Sequence, residues 1–147
     1  MRLIKIAVVS AQPRRLNATK NRISGPLLDR IDLHIDVPPL HASELQDTQA
    51  VEDSATVRER VIQAYEWQMQ RQACLNMALS PKQLEQFAPL DGQAALIFEK
   101  AQQRLNLSAR GYHRILRVAR TIADLAQSEQ IQTGHLTEAL SYRGQHH

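Results

Sequence analysis

The chain of 147 residues is short of several things at once, and each shortage removes a class of protein. It has a single cysteine, Cys74, so neither an intrachain disulfide nor a cysteine metal cluster is available, which fits a reducing, cytoplasmic setting. Aromatic residues make up 4%, so a core has to be built from Leu, Ile, Val and Ala, which favours packed helices over an aromatic-rich sandwich. No apolar run approaches the roughly 20 residues of a membrane span, so no membrane partner is expected. The opening MRLIKIAVVSAQPRR has the basic start of a secretory leader. Its apolar run is broken by Lys5, however, and Arg14 and Arg15 stand where small residues at a cleavage site belong. The five glycines, at 25, 92, 111, 134 and 144, form neither a phosphate loop nor a dinucleotide fingerprint. No H-E-x-x-H pair and no nucleophile elbow is present. A self-contained active site is therefore not expected.

What is present is charge in zones. Residues 1–40 carry seven Lys/Arg and three Asp/Glu, residues 41–53 four acids and no base, and residues 108–147 five Arg and three acids. Two basic zones joined by an acidic connector suit an anionic partner, although a net charge of +3 is equally that of an ordinary solvated surface.

The patterning divides the chain in three. In residues 1–38 the alternation of Ile31, Leu33, Ile35 and Val37 against Asp32, His34 and Asp36 predicts a strand over 31–37, stopped by Pro38-Pro39. Residues 39–53 are acidic and aperiodic and read as a linker. From Ser54 the sequence predicts a mainly α domain, a helical bundle over 54–143, with 144–147 as a tail. A capping box at Thr56–Glu59 opens a long helix to about Leu79, with Val57, Val61, Tyr65 and Met69 along one side. Ser80-Pro81-Lys82-Gln83 caps a short helix ended by Pro89. Asp91 caps a helix fading at Asn106, Ser108 one to about Ala126, and Thr133 the last, to about Tyr142. Cys74, Trp67, Tyr112 and Tyr142 read as core or rim packing.

At about 100° per residue, the helix from Ser108 puts Tyr112, Ile115, Ala119, Ile122, Ala123 and Ala126 on a core stripe. The opposite arc holds Arg110, Arg114, Arg117 and Thr121. Like charges one turn apart disfavour an isolated helix, so the arginine row calls for acidic neighbours or an anion. Arg30, between the apolar pair Leu27-Leu28 and the alternating segment, is the other arginine singled out. A stand-alone helical DNA-binding module, or a protein-interaction bundle, would also account for these features.

Two long motifs then become specific. RISGPLLDRIDLHIDVP (22–38) and SARGYHRILRVARTIADLAQSEQIQTGHLTEALSYR (108–143) resemble, in order and spacing, the C-terminal part of magnesium-chelatase-like AAA+ ATPases. The likeness is strongest to the bacterial competence-related, helicase-like branch. It implies that residues 1–53 are a remnant of the AAA+ core, and that 54–143 are its helical lid. It further implies a homo-hexameric parent ring that takes ATP and Mg²⁺ and acts on DNA. In that ring Arg30 matches the arginine finger, and Arg110, with Arg117 second, matches the sensor-2 arginine that touches nucleotide phosphate, in cis or in trans. The partners would be the AAA+ core of the same or neighbouring subunits. Before about Asn21 the chain departs from the family, and the family's phosphate loop and acidic Mg²⁺ motif have no counterpart in it. The isolated chain is therefore expected to be a monomer that binds no cofactor and hydrolyses no ATP, with residues 1–53 poorly ordered and the bundle folding by itself.

Overall fold

The computed structural model describes residues 30–35, 37 and 52–143. Arg30 and Ile31 belong to one compact unit, Met1–Ile31, and the remaining described residues to a second, Asp32–His147. Expectations for the other residues of 1–53, and for the tail, lie outside the described residues.

Among the described residues the second unit holds five α-helices and no strand. Helix α1 spans Ser54–Gln72, α2 Pro81–Phe87, α3 Gly92–Leu105, α4 Ala109–Leu125 and α5 Thr133–Ser141, with a 3-10 turn at Asn76–Ala78 before α2. Three starts are where local chemistry predicts them. Ser80 and Gln83 close a capping box with Pro81 as first helical residue, Asp91 accepts from Ala94 N at 2.7 Å, and Ser108 accepts from Gly111 N at 3.1 Å. Each cap satisfies a main-chain donor that the first turn leaves without a helical acceptor.

Elsewhere the structure corrects the reading. Helix α1 is capped by Asp53, whose carboxylate accepts from Thr56 N at 2.7 Å, rather than by Thr56. Hydrogen bonding from the Thr56 side chain, and then from its main-chain N–H, favours the ionised acid and pulls the Asp53 carboxyl below its usual range. The helix ends at Gln72, not near Leu79, because Ala73 turns left-handed at φ 56. The expected apolar side of α1 stays open: Val57, Val61, Tyr65 and Met69 are exposed, while Ala64 and Gln68 face inward. Helix α5 is capped at Gln132, with Thr133 as its first residue, and Gln132 N donates to His135 Nδ1 at 3.2 Å.

The strand predicted over 31–37 does not form among its described residues, and Ile31, Leu33, Ile35 and Val37 are exposed. Alternation makes a strand only when a ladder partner lies alongside. None does among the described residues, and His34 N donates instead to Tyr142 O at 2.7 Å.

Helix α4 is the hub, packed against α1, the 3-10 turn, α2 and α5. Its core stripe is as predicted at Ile115, Ala119 and Ala123, joined by Leu116, whereas Ala126 is exposed. Leu79, Leu84, Ala94, Phe98, Ile131 and Leu136 complete the core, and Phe98 stacks on Tyr112 with ring centroids 4.4 Å apart. Trp67 and Cys74 are half-buried. A parallel bridge between Leu90 and Ile131, with Ile131 N donating to Pro89 O at 3.0 Å, fixes the two connections that lead into α3 and α5. Helix α4 closes with Gln127 left-handed at φ 54, Ser128 N donating to Ala123 O and Gln127 N to Asp124 O. This paired closure consumes the last carbonyls of the helix and turns the chain sharply back towards α5.

Candidate functional site

The first turn of α4 gathers positive charge with no acidic residue of its own. Ser108 caps the helix, no acidic residue follows in the first turn, and Arg110 projects from it exposed. Arg110 has no hydrogen bond or ion pair among the described residues. The helix dipole adds its positive end at the same place.

Gly111, the next residue, is buried, and its φ is not positive, so backbone freedom is not what requires it. Space is. A Cβ built on Gly111 would lie 2.2 Å from an Nη of Arg143, whose guanidinium lies over the turn. Gly111→Ala should therefore displace Arg143 and leave stability within about 1 kcal/mol of the parent, because alanine's better helix propensity offsets the clash. In an Arg143→Ala background the same change should gain about 0.5–1 kcal/mol. Urea unfolding of the four variants reads the difference; no gain in the double variant would mean that something other than Arg143 requires the glycine.

The predicted arginine row separates into different tasks. Arg114 pairs through Nε with the Asp32 carboxylate. Arg117 turns back to the bundle and donates from Nε at 3.2 Å and from Nη at 2.7 Å to the Leu79 carbonyl oxygen. It thereby satisfies a main-chain acceptor at the end of the 3-10 turn. Thr121, the fourth member, donates to Arg117 O at 2.9 Å and accepts from Asn76 Nδ2 at 3.1 Å. Only Arg110 keeps the open, outward position that the row was expected to share. Arg30 lies exposed in a turn of the other unit.

The sequence reading missed a buried polar network below this face. Arg120 and Asp124 are 0% and 1% exposed. Arg120 donates to Asp124 at 3.1 Å, to Glu129 O at 2.7 Å and to Ser128 O at 2.5 Å. Arg71, from the end of α1, grips the same carboxylate with two bonds of 2.5 and 3.0 Å, and Asn76 Nδ2 adds another at 2.8 Å. Asn76 N in turn donates to Gln68 Oε1 at 2.9 Å. Burial lowers the proton affinity of Arg120, against the opposing pull of Asp124, but a guanidinium remains charged in water-accessible pH ranges. The i,i+4 spacing of Arg120 and Asp124 was a usable signal; nothing in the sequence pointed to Arg71 or Asn76.

Two tyrosines also titrate high. Burial, and then the charge of Glu85, raise Tyr112; the hydrogen bond of Tyr142 Oη to Glu138 raises Tyr142. Neither lies near its ionised form at neutral pH, so neither is a candidate base. Among the described residues no three His, Cys, Asp or Glu side chains converge to hold a metal ion. No helix among them is long and apolar enough to cross a membrane.

Residues 51–143 match the family described as magnesium chelatase, subunit ChlI C-terminal, and residues 5–45 match magnesium chelatase, subunit ChlI, so the likeness begins well before Asn21, where the sequence was expected to depart from it. The chain is 48% identical over 132 residues to competence protein ComM of Haemophilus influenzae, covering 89% of this chain and 26% of that protein. It is 45% identical over 124 residues to the uncharacterized protein YifB of Escherichia coli, covering 84% of this chain and 24% of that one. The chain thus spans about a quarter of the length of these curated relatives.

Proposed function

The chain belongs to the magnesium chelatase subunit ChlI family, and from that premise we propose that its helical domain is the nucleotide-sensing lid of a ring-forming AAA+ ATPase. The intact protein binds ATP and Mg²⁺ in its core, where Mg²⁺ neutralises charge on the phosphates. The lid contributes Arg110 to the phosphates when the site closes. Arg30, on the core side, reaches the γ-phosphoryl group held by a neighbouring subunit and stabilises the charge that develops there. The resemblance extends this reading to a hexamer acting on DNA.

The observation that carries the proposal is the state of Arg110. It is exposed at the N-terminus of α4, whose first turn carries no acidic residue, while Arg114 and Arg117 of the same helix are already engaged. An arginine so placed presents a planar fork to an incoming phosphate without breaking a contact of its own. The same observation weakens the reading of a stand-alone DNA-binding helix. A row of three arginines would track a phosphate backbone, whereas two of the three have other tasks.

Nucleotide titration of the intact ATPase tests the assignment. Arg110→Ala should weaken nucleotide binding about tenfold or more, the worth of a charge-assisted bond. Arg117→Ala should instead lower the stability of the lid by about 1.5–3 kcal/mol, by leaving the Leu79 carbonyl without its charged donor. Unchanged affinity in Arg110→Ala would remove it from the site.

A further inference from the structure

The segment after Arg30 has little to hold it by burial. Ile31 is 46%, Leu33 47% and Ile35 67% exposed, and no neighbouring strand pairs with them among the described residues. Two polar contacts among the described residues help to hold it, one to α4 and one to the C-cap of α5. Asp32 accepts from Arg114 on α4, and His34 N donates at 2.7 Å to the carbonyl of Tyr142, the residue that caps the C-terminus of α5.

Arg114 lies one helical turn, about 6 Å of rise, beyond Arg110. Asp32 lies two residues beyond Arg30, which chain length alone keeps within about 7 Å of it, Cα to Cα. We infer that the Asp32–Arg114 ion pair, with the His34–Tyr142 bond, is a strut that ties the segment following Arg30 to the lid helices, and that turnover in the intact protein depends on it. The inference rests on the reading of Arg30 as the finger and Arg110 as the phosphate sensor. Asp32 and Arg114 are positioning residues in it and touch no nucleotide. The contact is suited to such a role. The Arg114 side chain is 16% exposed, whereas Asp32 is 60% exposed and reaches it from the segment that follows Arg30.

Amide exchange in the 147-residue chain tests the strut directly. Asp32→Arg and Arg114→Asp should each speed exchange of the His34 amide by roughly twofold to fivefold, the range expected of a half-exposed ion pair. The charge-swapped double variant should return it to near the parent rate. Unchanged exchange in the single variants, or no recovery in the double, overturns the strut. Far-UV circular dichroism checks that each variant retains its helices.

In the intact ATPase, Arg114→Asp should lower kcat with little change in the KM for ATP, and the double variant should recover kcat. A raised KM with unchanged kcat also overturns the inference. The two readings fail separately. Normal turnover in Arg30→Ala defeats the finger assignment whatever the exchange rates show, and exchange that ignores the ion pair defeats the strut whatever Arg30 does.

Discussion

Arg30→Ala in the intact protein is expected, on the finger role proposed for it above, to lower kcat for ATP by about 10³–10⁵-fold, the range over which arginine fingers act, while nucleotide affinity stays within about threefold of the parent. The asymmetry follows from where the charge appears. On that reading the γ-phosphate is already neutralised in the ground state by the core of the subunit that binds it. The finger meets the extra charge on the equatorial and bridging oxygens only as the bond to the leaving group lengthens. An interaction made in the transition state alone reduces kcat and kcat/KM together. Arg30→Lys should recover little, because an ammonium offers a point charge in place of a planar fork. Mixing Arg30→Ala subunits into the proposed ring should depress turnover in proportion to the subunit interfaces they occupy, if the finger serves its neighbour's nucleotide. Steady-state turnover combined with a fluorescent-nucleotide titration checks all three outcomes, and near-parent kcat in Arg30→Ala would reject the assignment.

The largest effect on stability is expected at Asp124. Asp124→Ala should cost about 3–5 kcal/mol, as removal of one partner from a buried ion pair does. That is a large share of the about 5–15 kcal/mol that holds a domain together. The reason lies in the guanidinium left behind. Arg120, 0% exposed, would lose its counter-charge where water cannot replace it, and Arg71 and Asn76 would lose the carboxylate that joins α1 and the 3-10 turn to α4. Replacing Arg120 by Met in the same variant should not restore stability. Arg120 also donates to the carbonyl oxygens of Ser128 and Glu129, which hold the α4–α5 connection, and those acceptors would become unpaired. High salt should change little, because the pair is shielded from the ions that screen surface charges. Urea unfolding followed by circular dichroism reads the loss as a fall in the transition midpoint. A cost below about 1 kcal/mol would show that the network relaxes or admits water.

The two predictions fall on opposite sides of what a sequence can reveal. Arg30 stood out because a family motif surrounds it. Asp124 did not, because its importance comes from Arg71, 53 residues away, and Asn76, 48 residues away. The arginine row shows the same limit within one helix. Spacing placed Arg110, Arg114 and Arg117 on a common arc, but the task of each depends on what lies opposite. For Arg117 that is a carbonyl 38 residues earlier, and for Arg114 an aspartate 82 residues earlier.

The sequence by itself determined the mainly helical class, the starts of α2, α3 and α4, and the core positions of the hub helix. These rest on interactions within about four residues, where a capping side chain or a helical period decides the outcome. The tertiary structure alone decided that 31–37 is not a strand among its described residues, that α1 stops at Gln72, and which arginine of the α4 row stays exposed while the other two are engaged. A strand needs a neighbour to pair with, and a buried charge needs its counter-charge brought from elsewhere. The hydrogen-bond acceptor that claims an arginine, like the partner of a β-strand, is set by the fold and not by the residue's own place in the chain.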